Sequence, residues 1–188
     1  MDRWYRGPML LNECYFETDQ LVVGKWSGPM TGDTAAESRH AFVVSLLTEA
    51  VTHDLPPSWQ GTYDVDRASQ WFSERQSEST VLFATKRSNG HPVGLLILSE
   101  SAHGDRSRQI RLGYMIHEDA WGQGLATEIV AGLVEWCGTD GSIQSIIGGV
   151  ARNNAASSRV LQKNGFIPRF VDSDQPSDEV EYIRAFTA

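Results

Sequence analysis

Cysteine is scarce in this sequence: Cys14 and Cys137 are the two in 188 residues, and they lie far apart along the chain. They fit no C-x-x-C or zinc-ligand spacing, so neither a structural disulfide nor a metal site is indicated, and they read as reduced thiols of a cytosolic protein. Long apolar runs are also missing. Val93 to Leu98 is among the longest, far short of the roughly 20 residues that a membrane helix needs. The start, Met1-Asp2-Arg3-Trp4, carries no signal-peptide core, and a soluble cytoplasmic domain is the expectation. Basic charge is short as well. Lys and Arg number 16 against 24 Asp and Glu, for a net charge of −8, with no basic block longer than Lys86-Arg87. A broad phosphate-backbone footprint, and with it nucleic-acid binding, is therefore excluded as a first reading. No internal repeat, low-complexity tract or Gly/Pro-rich linker divides the chain, so residues 1–188 are read as one domain. With 40% hydrophobic residues, a chain of this length hides roughly 70% of its unfolded surface.

What is present alternates between two periodicities. Leu21 to Trp26 is a plausible first strand, and Thr34 to Thr52 places Ala41, Val44, Leu47 and Val51 at helical spacing. Asp64 to Arg75 reads as a second helix, with Asp64 or Asp66 as cap and Ala68, Trp71 and Phe72 on one face. Thr80–Thr85 and Pro92–Leu98 are strand-like runs joined by Ser88-Asn89-Gly90-His91, where Asn-Gly offers the positive φ angles of a tight hairpin. Ile110–His117 is a further strand. After a glycine turn, Leu125, Ala126, Ile129, Val130, Leu133, Val134 and Cys137 form an apolar stripe of period 3.6. Ile143–Ala151 returns to strand character and Ala155–Asn164 is a short helix stopped at Gly165. Phe166–Val171 then pairs with Val180–Phe186. The order β-α-α-β-β-β-α-β-α-β-β describes an α/β (α+β) fold with a mixed, mostly antiparallel sheet of about 6–7 strands.

Chemistry concentrates at Trp121-Gly122-Gln123-Gly124-Leu125-Ala126-Thr127, where a strand turns into a helix. Backbone N–H groups at such a turn converge on one point, the helix dipole adds partial positive charge, and glycine lets a phosphate approach. A turn that needs glycine for its φ angle alone would read the same. A dinucleotide site requires Gly or Ala where Thr127 stands and a ribose-binding acid after the next strand, which Ile143–Val150 does not offer. A P-loop fails because no Gly-Lys-Ser/Thr follows.

The second half of the pattern is more specific. Gly113-Tyr114, the Trp121–Glu128 turn, Asn154-x-x-Ser157 and Lys163-x-Gly165-Phe166 together resemble the GNAT acyl-CoA N-acetyltransferase superfamily, and within it the ribosomal-protein N-terminal acetyltransferase-like branch. The resemblance runs from about Thr80 to Phe170. It implies a single GNAT-like domain that binds acetyl-CoA, without a metal, and transfers acetyl directly to a primary amine. The CoA pyrophosphate would be held by the amides of Gln123, Gly124, Leu125, Ala126 and Thr127. The strand Tyr114-Met115-Ile116 would run beside the pantetheine arm, with one of its amides facing the thioester carbonyl. Asn154 and Ser157 match positions that contact the arm and the sulfur, and either is equally read as a helix-start residue.

Two departures from the family pattern bear on mechanism. The family's proton-donor Tyr is Leu161 here, which leaves Ser157 as the candidate acid. The Glu usual in the branch is Arg111, which stays charged and cannot accept a proton. Glu100 and His117 are substitutes between which the sequence does not choose. Trp121 replaces the family's usual Arg or Gln and reads as an aromatic anchor for the turn. The acceptor is expected between the Thr34–Arg75 region and the closing hairpin, with Trp59, Tyr63 and Trp71 as candidate lining. The acidic run Asp172–Glu181 would attract a cationic amine or serve as a solvated loop. The resemblance implies a protein N-terminus or a small amine as acceptor, with peptide, antibiotic, polyamine and amino-acid substrates all open, and a homodimer is common in the superfamily. The alternative is a non-catalytic acyl-CoA-binding module, with a dinucleotide-binding oxidoreductase a distant third.

Overall fold

A computed structural model describes residues 11–28, 35–102, 108–169 and 178–186. Eight strands form one sheet: β1 Phe16–Glu17, β2 Leu21–Gly24, β3 Thr80–Lys86, β4 Pro92–Ala102, β5 Arg108–Ile116, β6 Ile143–Ala151, β7 Ile167–Arg169 and β8 Glu179–Ala185. Their order across the sheet is β1-β2-β3-β4-β5-β6-β8-β7. Every neighbouring pair is antiparallel except β5 and β6. The helices are α1 Ala35–Leu46, α2 Glu49–Thr52, α3 Val65–Glu78, α4 Leu125–Gly138 and α5 Ala155–Lys163. The mixed, mostly antiparallel architecture is the one read from the sequence. The strand beyond the expected 6–7 is β1, two residues paired with Val22 and Val23 and too short to leave a periodic signal.

Two other differences are local. The helix read over Thr34–Thr52 breaks in two, with Thr34 itself outside the described residues. Thr48 caps α2 by accepting from the Val51 amide at 3.3 Å, and a hydroxyl that competes for backbone in this way interrupts a helix. The same hydroxyl donates to the Glu118 carboxylate, which ties α2 to the turn ahead of α4. At the β3–β4 connection Gly90 takes φ +71°, whereas no non-glycine residue among those described has a positive φ. Asn89 instead accepts from the His91 amide at 3.0 Å, so the loop is longer than a two-residue turn.

Side chains alternate between two cores. On one face Leu112, Ile116 and Tyr114 of β5 pack with Leu125, Ile129, Val130, Leu133 and Cys137 of α4, the stripe expected of that helix. On the other, Met115 joins Phe42, Val43 and Leu46 of α1 and Trp71 and Phe72 of α3. Strand alternation therefore puts Arg111 and Gly113 on the α1/α3 face with Met115.

The Glu128 side chain fixes α4 against the β1–β2 turn. It accepts from the Gln20 amide at 2.7 Å, from Gln20 Nε2 at 2.8 Å and from the Thr18 hydroxyl. Burial works to raise its pKa, but these hydrogen bonds together outweigh it and the net shift is downward. A carboxyl lowered in the folded state stabilises the protein above its unfolded pKa, near 4.3, and loses that contribution as pH falls through the folded value. Glu128→Ala is accordingly expected to cost roughly 1–3 kcal/mol at pH 7. In denaturant melts the difference from the parent protein should shrink below about pH 4; a cost independent of pH would contradict the assignment.

Candidate active site

β5 and β6 run side by side only as far as the Arg111–Ile147 pair. Beyond it β6 continues to pair with β8 out to Ala151–Glu179, and its edge toward β5 is bare. The resulting cleft, about 680 Å³, is walled by Leu112–Ile116 on one side and Gly148–Ala151 on the other. A gap at the carboxyl ends of two parallel strands is where ligands of open α/β sheets enter. Backbone alternation decides which groups line it. His117 N–H donates to Val93 O at 2.8 Å, so, in an antiparallel ladder, the polar groups of Met115 and Gly113 also point to β4. Those of Leu112, Tyr114 and Ile116 point into the cleft. Among the residues proposed for the carbonyl contact, the Met115 amide is thus engaged in the sheet, and those of Tyr114 and Ile116 face the opening.

The turn into α4 closes one end. Gly122 and Gly124 adopt φ of +72° and +79°, which L side chains rarely adopt. The space where a Cβ would stand at Gly124 is open. Gly124 caps α4 with no side-chain hydrogen bond. The first backbone bond into the helix is Glu128 N–H to Gly124 O at 3.1 Å. No protein acceptor among the described residues therefore serves the amides of Leu125, Ala126 and Thr127, and all three residues line the cleft. Both readings of the glycine turn hold here: the φ angle demands glycine, and the turn presents unsatisfied donors to an empty space. Gln123 does not line the cleft. Its side chain donates to Asp119 O at 2.9 Å and accepts from Lys86 Nζ at 3.2 Å, bracing the turn from behind. Trp121 is 51% exposed and is held by its indole N–H, which donates to Ile116 O at 2.7 Å. It anchors the turn to β5 through that bond rather than by burial in the core.

On the α5 side, Asn154 caps the helix by accepting from the Ser157 amide at 2.9 Å. Asn154 and Ser157 both line the cleft, together with Met115, Ile116, Gly124, Leu125, Ala126 and Thr127. Leu161 is 1% exposed and packs toward Gly148, closing the floor where the family's Tyr would stand. The two candidate bases lie elsewhere. Glu100 accepts from Arg108 at 2.7 and 2.8 Å; that bonding, chiefly, holds its carboxyl below the usual range. His117 accepts from the Asp119 amide at 3.3 Å and lines a separate 410 Å³ pocket. Neither is part of the cleft wall.

Arg111 is exposed on the α1/α3 face, 3.8 Å from Glu181, which is also bonded by Arg169 at 2.6 Å. The Glu179 carboxylate lies over Gly149 beside Arg111. Val51, Asp54 and Leu55 of the α2 region line the cleft itself, and Glu179 and Arg111 lie beside its Gly149 wall. Trp59, Tyr63 and Trp71 do not line it. Trp59 and Trp71 pack edge to face at 5.5 Å, and Arg75 lies over Trp59; for Trp71, helical spacing with Ala68 is core spacing. Of the acidic run, Asp178–Glu181 is described; Asp172 and Asp174 lie outside the described residues.

The α2 contacts fall within the Thr34–Arg75 region expected beside the acceptor, although Val51, Asp54 and Leu55 were not singled out; the Gly148–Ala151 wall was not anticipated as a site element. The adjacent glycines inside β6 were the available signal, since glycine in a strand marks a close approach.

The chain matches the family model of the acetyltransferase (GNAT) domain over residues 34–167, and it belongs to the GNAT acetyltransferase family. A comparison with curated proteins finds no match. Among solved structures, a GNAT-family acetyltransferase from Bacillus anthracis superposes with TM-score 0.72 at 13% identity, covering 92% of this chain and 98% of the other. The yncA protein from Salmonella typhimurium, solved with its cofactor acetyl-CoA, gives 0.59 at 20% identity, with 88% and 93% covered. A Vibrio cholerae protein provisionally identified as a ribosomal-protein-serine acetyltransferase gives 0.64 at 15%, with 94% and 99% covered. At these identities the likeness shows the fold.

No described helix is long and apolar enough to cross a membrane. No group of three potential ligands for a metal occurs among the described residues. Both cysteines are buried and free. Burial pushes each thiol up to about 12, so neither is a nucleophile at neutral pH. Iodoacetamide at pH 8 is expected to leave the folded protein unlabelled and to modify both cysteines after denaturation. Stoichiometric labelling of the native state would refute their placement.

Proposed function

We propose that this chain is an acetyl-CoA-dependent N-acetyltransferase that acts by direct transfer to a primary amine, either a protein N-terminus or a small amine. The observation that carries the reading is the set of unsatisfied amides of Leu125, Ala126 and Thr127 at the mouth of the β5–β6 cleft. These donors suit a diphosphate, and the bare strand edge of Tyr114 and Ile116 suits an amide-bearing arm that pairs as a peptide would. The residues present therefore fit acetyl-CoA, which supplies the activated acetyl group as a thioester. Trp121 and Ser157 support placement in the ribosomal-protein N-terminal branch.

In this reading one of the two backbone amides that face the cleft, Tyr114 or Ile116, donates toward the carbonyl, where charge develops, and the other pairs with the arm. Ser157 donates to the sulfur as it leaves. The acceptor enters from the α1/α3 face, between the α2 region and Arg111. With no carboxylate on β5 at this point, the amine arrives already neutral. An α-amino group, with pKa near 8, is about a tenth neutral at pH 7, and a lysine side chain far less so. An α-amine is thus the favoured acceptor over a lysine side chain.

The second reading, an acyl-CoA-binding module without turnover, rests on Arg111 and Leu161 standing where the family's base and acid usually stand. Incubation with acetyl-CoA and a panel of amines, followed by free-thiol release, separates the two. Turnover on an α-amine is expected, with kcat/KM rising about tenfold per pH unit below the acceptor's pKa. Tight binding without turnover on any amine would favour the module. Gly124→Val should fold yet bind acetyl-CoA more weakly by orders of magnitude, because its side chain obstructs the amides. Unchanged affinity in calorimetry would refute the phosphate site. Ser157→Ala should lower kcat and leave the affinity for acetyl-CoA largely intact.

A further inference from the structure

Tyr114 projects from β5 toward the α4/α5 face, where its ring packs with the apolar core and also lines the cleft. Its hydroxyl is sealed from solvent and has no hydrogen bond of normal geometry among the described residues. The polar group beside it is the hydroxyl of Ser157. A buried hydroxyl without a partner destabilises a fold, and phenylalanine would fill the same space without that cost. Ser157 is itself held in place through its amide, which donates to Asn154 Oδ1 at 2.9 Å. Two hydroxyls thus stand side by side in the cleft, the phenol with no partner other than its neighbour and the seryl group fixed at the opening turn of a helix.

We infer that Tyr114 is a positioning residue that aims the Ser157 proton at the departing sulfur. This rests on the acetyltransferase reading above. Two adjacent hydroxyls can share a hydrogen bond in either direction, and only one direction serves the reaction. If the phenol donates to Ser157 Oγ, the seryl proton is left free to point into the cleft. If Ser157 donates to the phenol, no proton is available to the sulfur. Burial raises the phenol pKa above its ordinary value, so the ring stays a neutral donor through turnover. In the transfer a C–N bond forms and the C–S bond breaks. Ser157 Oγ gives its proton to the departing sulfur and is reprotonated by the one that the attacking nitrogen releases, passed on through solvent in the open cleft, and Tyr114 keeps its own throughout. The arrangement also accounts for Leu161: a phenol reaching the site from β5 leaves the family's Tyr position on α5 free for an apolar floor.

The test compares the parent protein, Tyr114→Phe, Ser157→Ala and the double variant. Tyr114→Phe is expected to lower kcat about tenfold, with KM for acetyl-CoA within twofold and with an unchanged or higher Tm. In the Ser157→Ala background the same substitution should cost nothing further, because the proton it aims is gone. Equal losses in both backgrounds would show a structural role and overturn the inference, as would parent-like turnover of Tyr114→Phe. Loss of kcat on Ser157→Ala without any loss on Tyr114→Phe would leave the acetyltransferase reading intact while sinking this one. A readout free of turnover uses protein labelled with 13C at tyrosine Cζ, the Tyr114 signal among the five tyrosines being identified by its absence in Tyr114→Phe. Acetyl-CoA should shift that signal in the parent protein and not in Ser157→Ala. A signal that ignores acetyl-CoA in the parent overturns the proposal whether or not an acceptor has been found.

Discussion

Backbone polar groups must find partners, and in this chain one stretch of sheet and one helix start do not. β5 and β6 separate after Arg111 and Ile147, so the inward-pointing amides of Tyr114 and Ile116 lose the strand that would have satisfied them, while the Ile116 carbonyl is taken by the Trp121 indole. The amides opening α4 lie at the end of the same gap and are equally unpaired, because Gly124 has no side chain with which to cap them. Both sets are tolerable because the cleft is open. They also have a common character: an edge of amides that pairs with an extended arm, leading to a cluster of donors that pairs with an anion. The rest of the molecule holds this gap in shape. Glu128 locks α4 to the β1–β2 turn, Trp121 ties the glycine turn to Ile116, and Thr48 links α2 to Glu118.

The chemistry around this frame departs from the family at two places, and the structure relates both to their surroundings. Arg111 stands where a carboxylate is usual, within an array that includes Glu181 and Arg169 and has Glu179 nearby. A guanidinium there cannot take a proton. Leu161 seals the floor under Gly148, and the phenol absent from α5 has a counterpart in Tyr114, reaching the same region from β5. In the proposed reaction, proton handling thereby shifts from a side chain that accepts to an acceptor that arrives neutral and a serine hydroxyl, aimed by Tyr114, that donates.

Much of this was legible in the sequence because it depends on short-range rules. The period of α4, the Asp64 cap of α3 and the strand runs on either side of Asn89-Gly90 each follow from a few adjacent residues. The helix-opening donors followed from the positions of Gly122 and Gly124. What escaped depends on contacts distant in the chain. Strand β1 exists because Phe16 and Glu17 find Val22 and Val23 beside them, not because two residues show a pattern. Nothing in the order of residues places Val51 and Asp54 against the cleft, since that contact arises where Thr48 meets Glu118. Trp59 and Tyr63 illustrate the converse: aromatic residues suited to a pocket were used to build the α1/α3 core. The side chain of Gln123 likewise serves contacts distant in the chain, with Lys86 and Asp119, which leaves the role expected of its backbone amide unaffected.

The central claim is that the amides from Gly124 to Thr127 form the anchor of a thioester-bearing nucleotide, with β5 as its rail. Backbone 15N–1H spectra recorded during titration with acetyl-CoA test it most directly, residue by residue and without reference to turnover. The account predicts large, saturable shifts at Gly124, Leu125, Ala126 and Thr127, with further shifts at Tyr114 and Ile116 and little change at Met115. A titration that leaves the turn unmoved, or that perturbs a different face of the sheet, would contradict it.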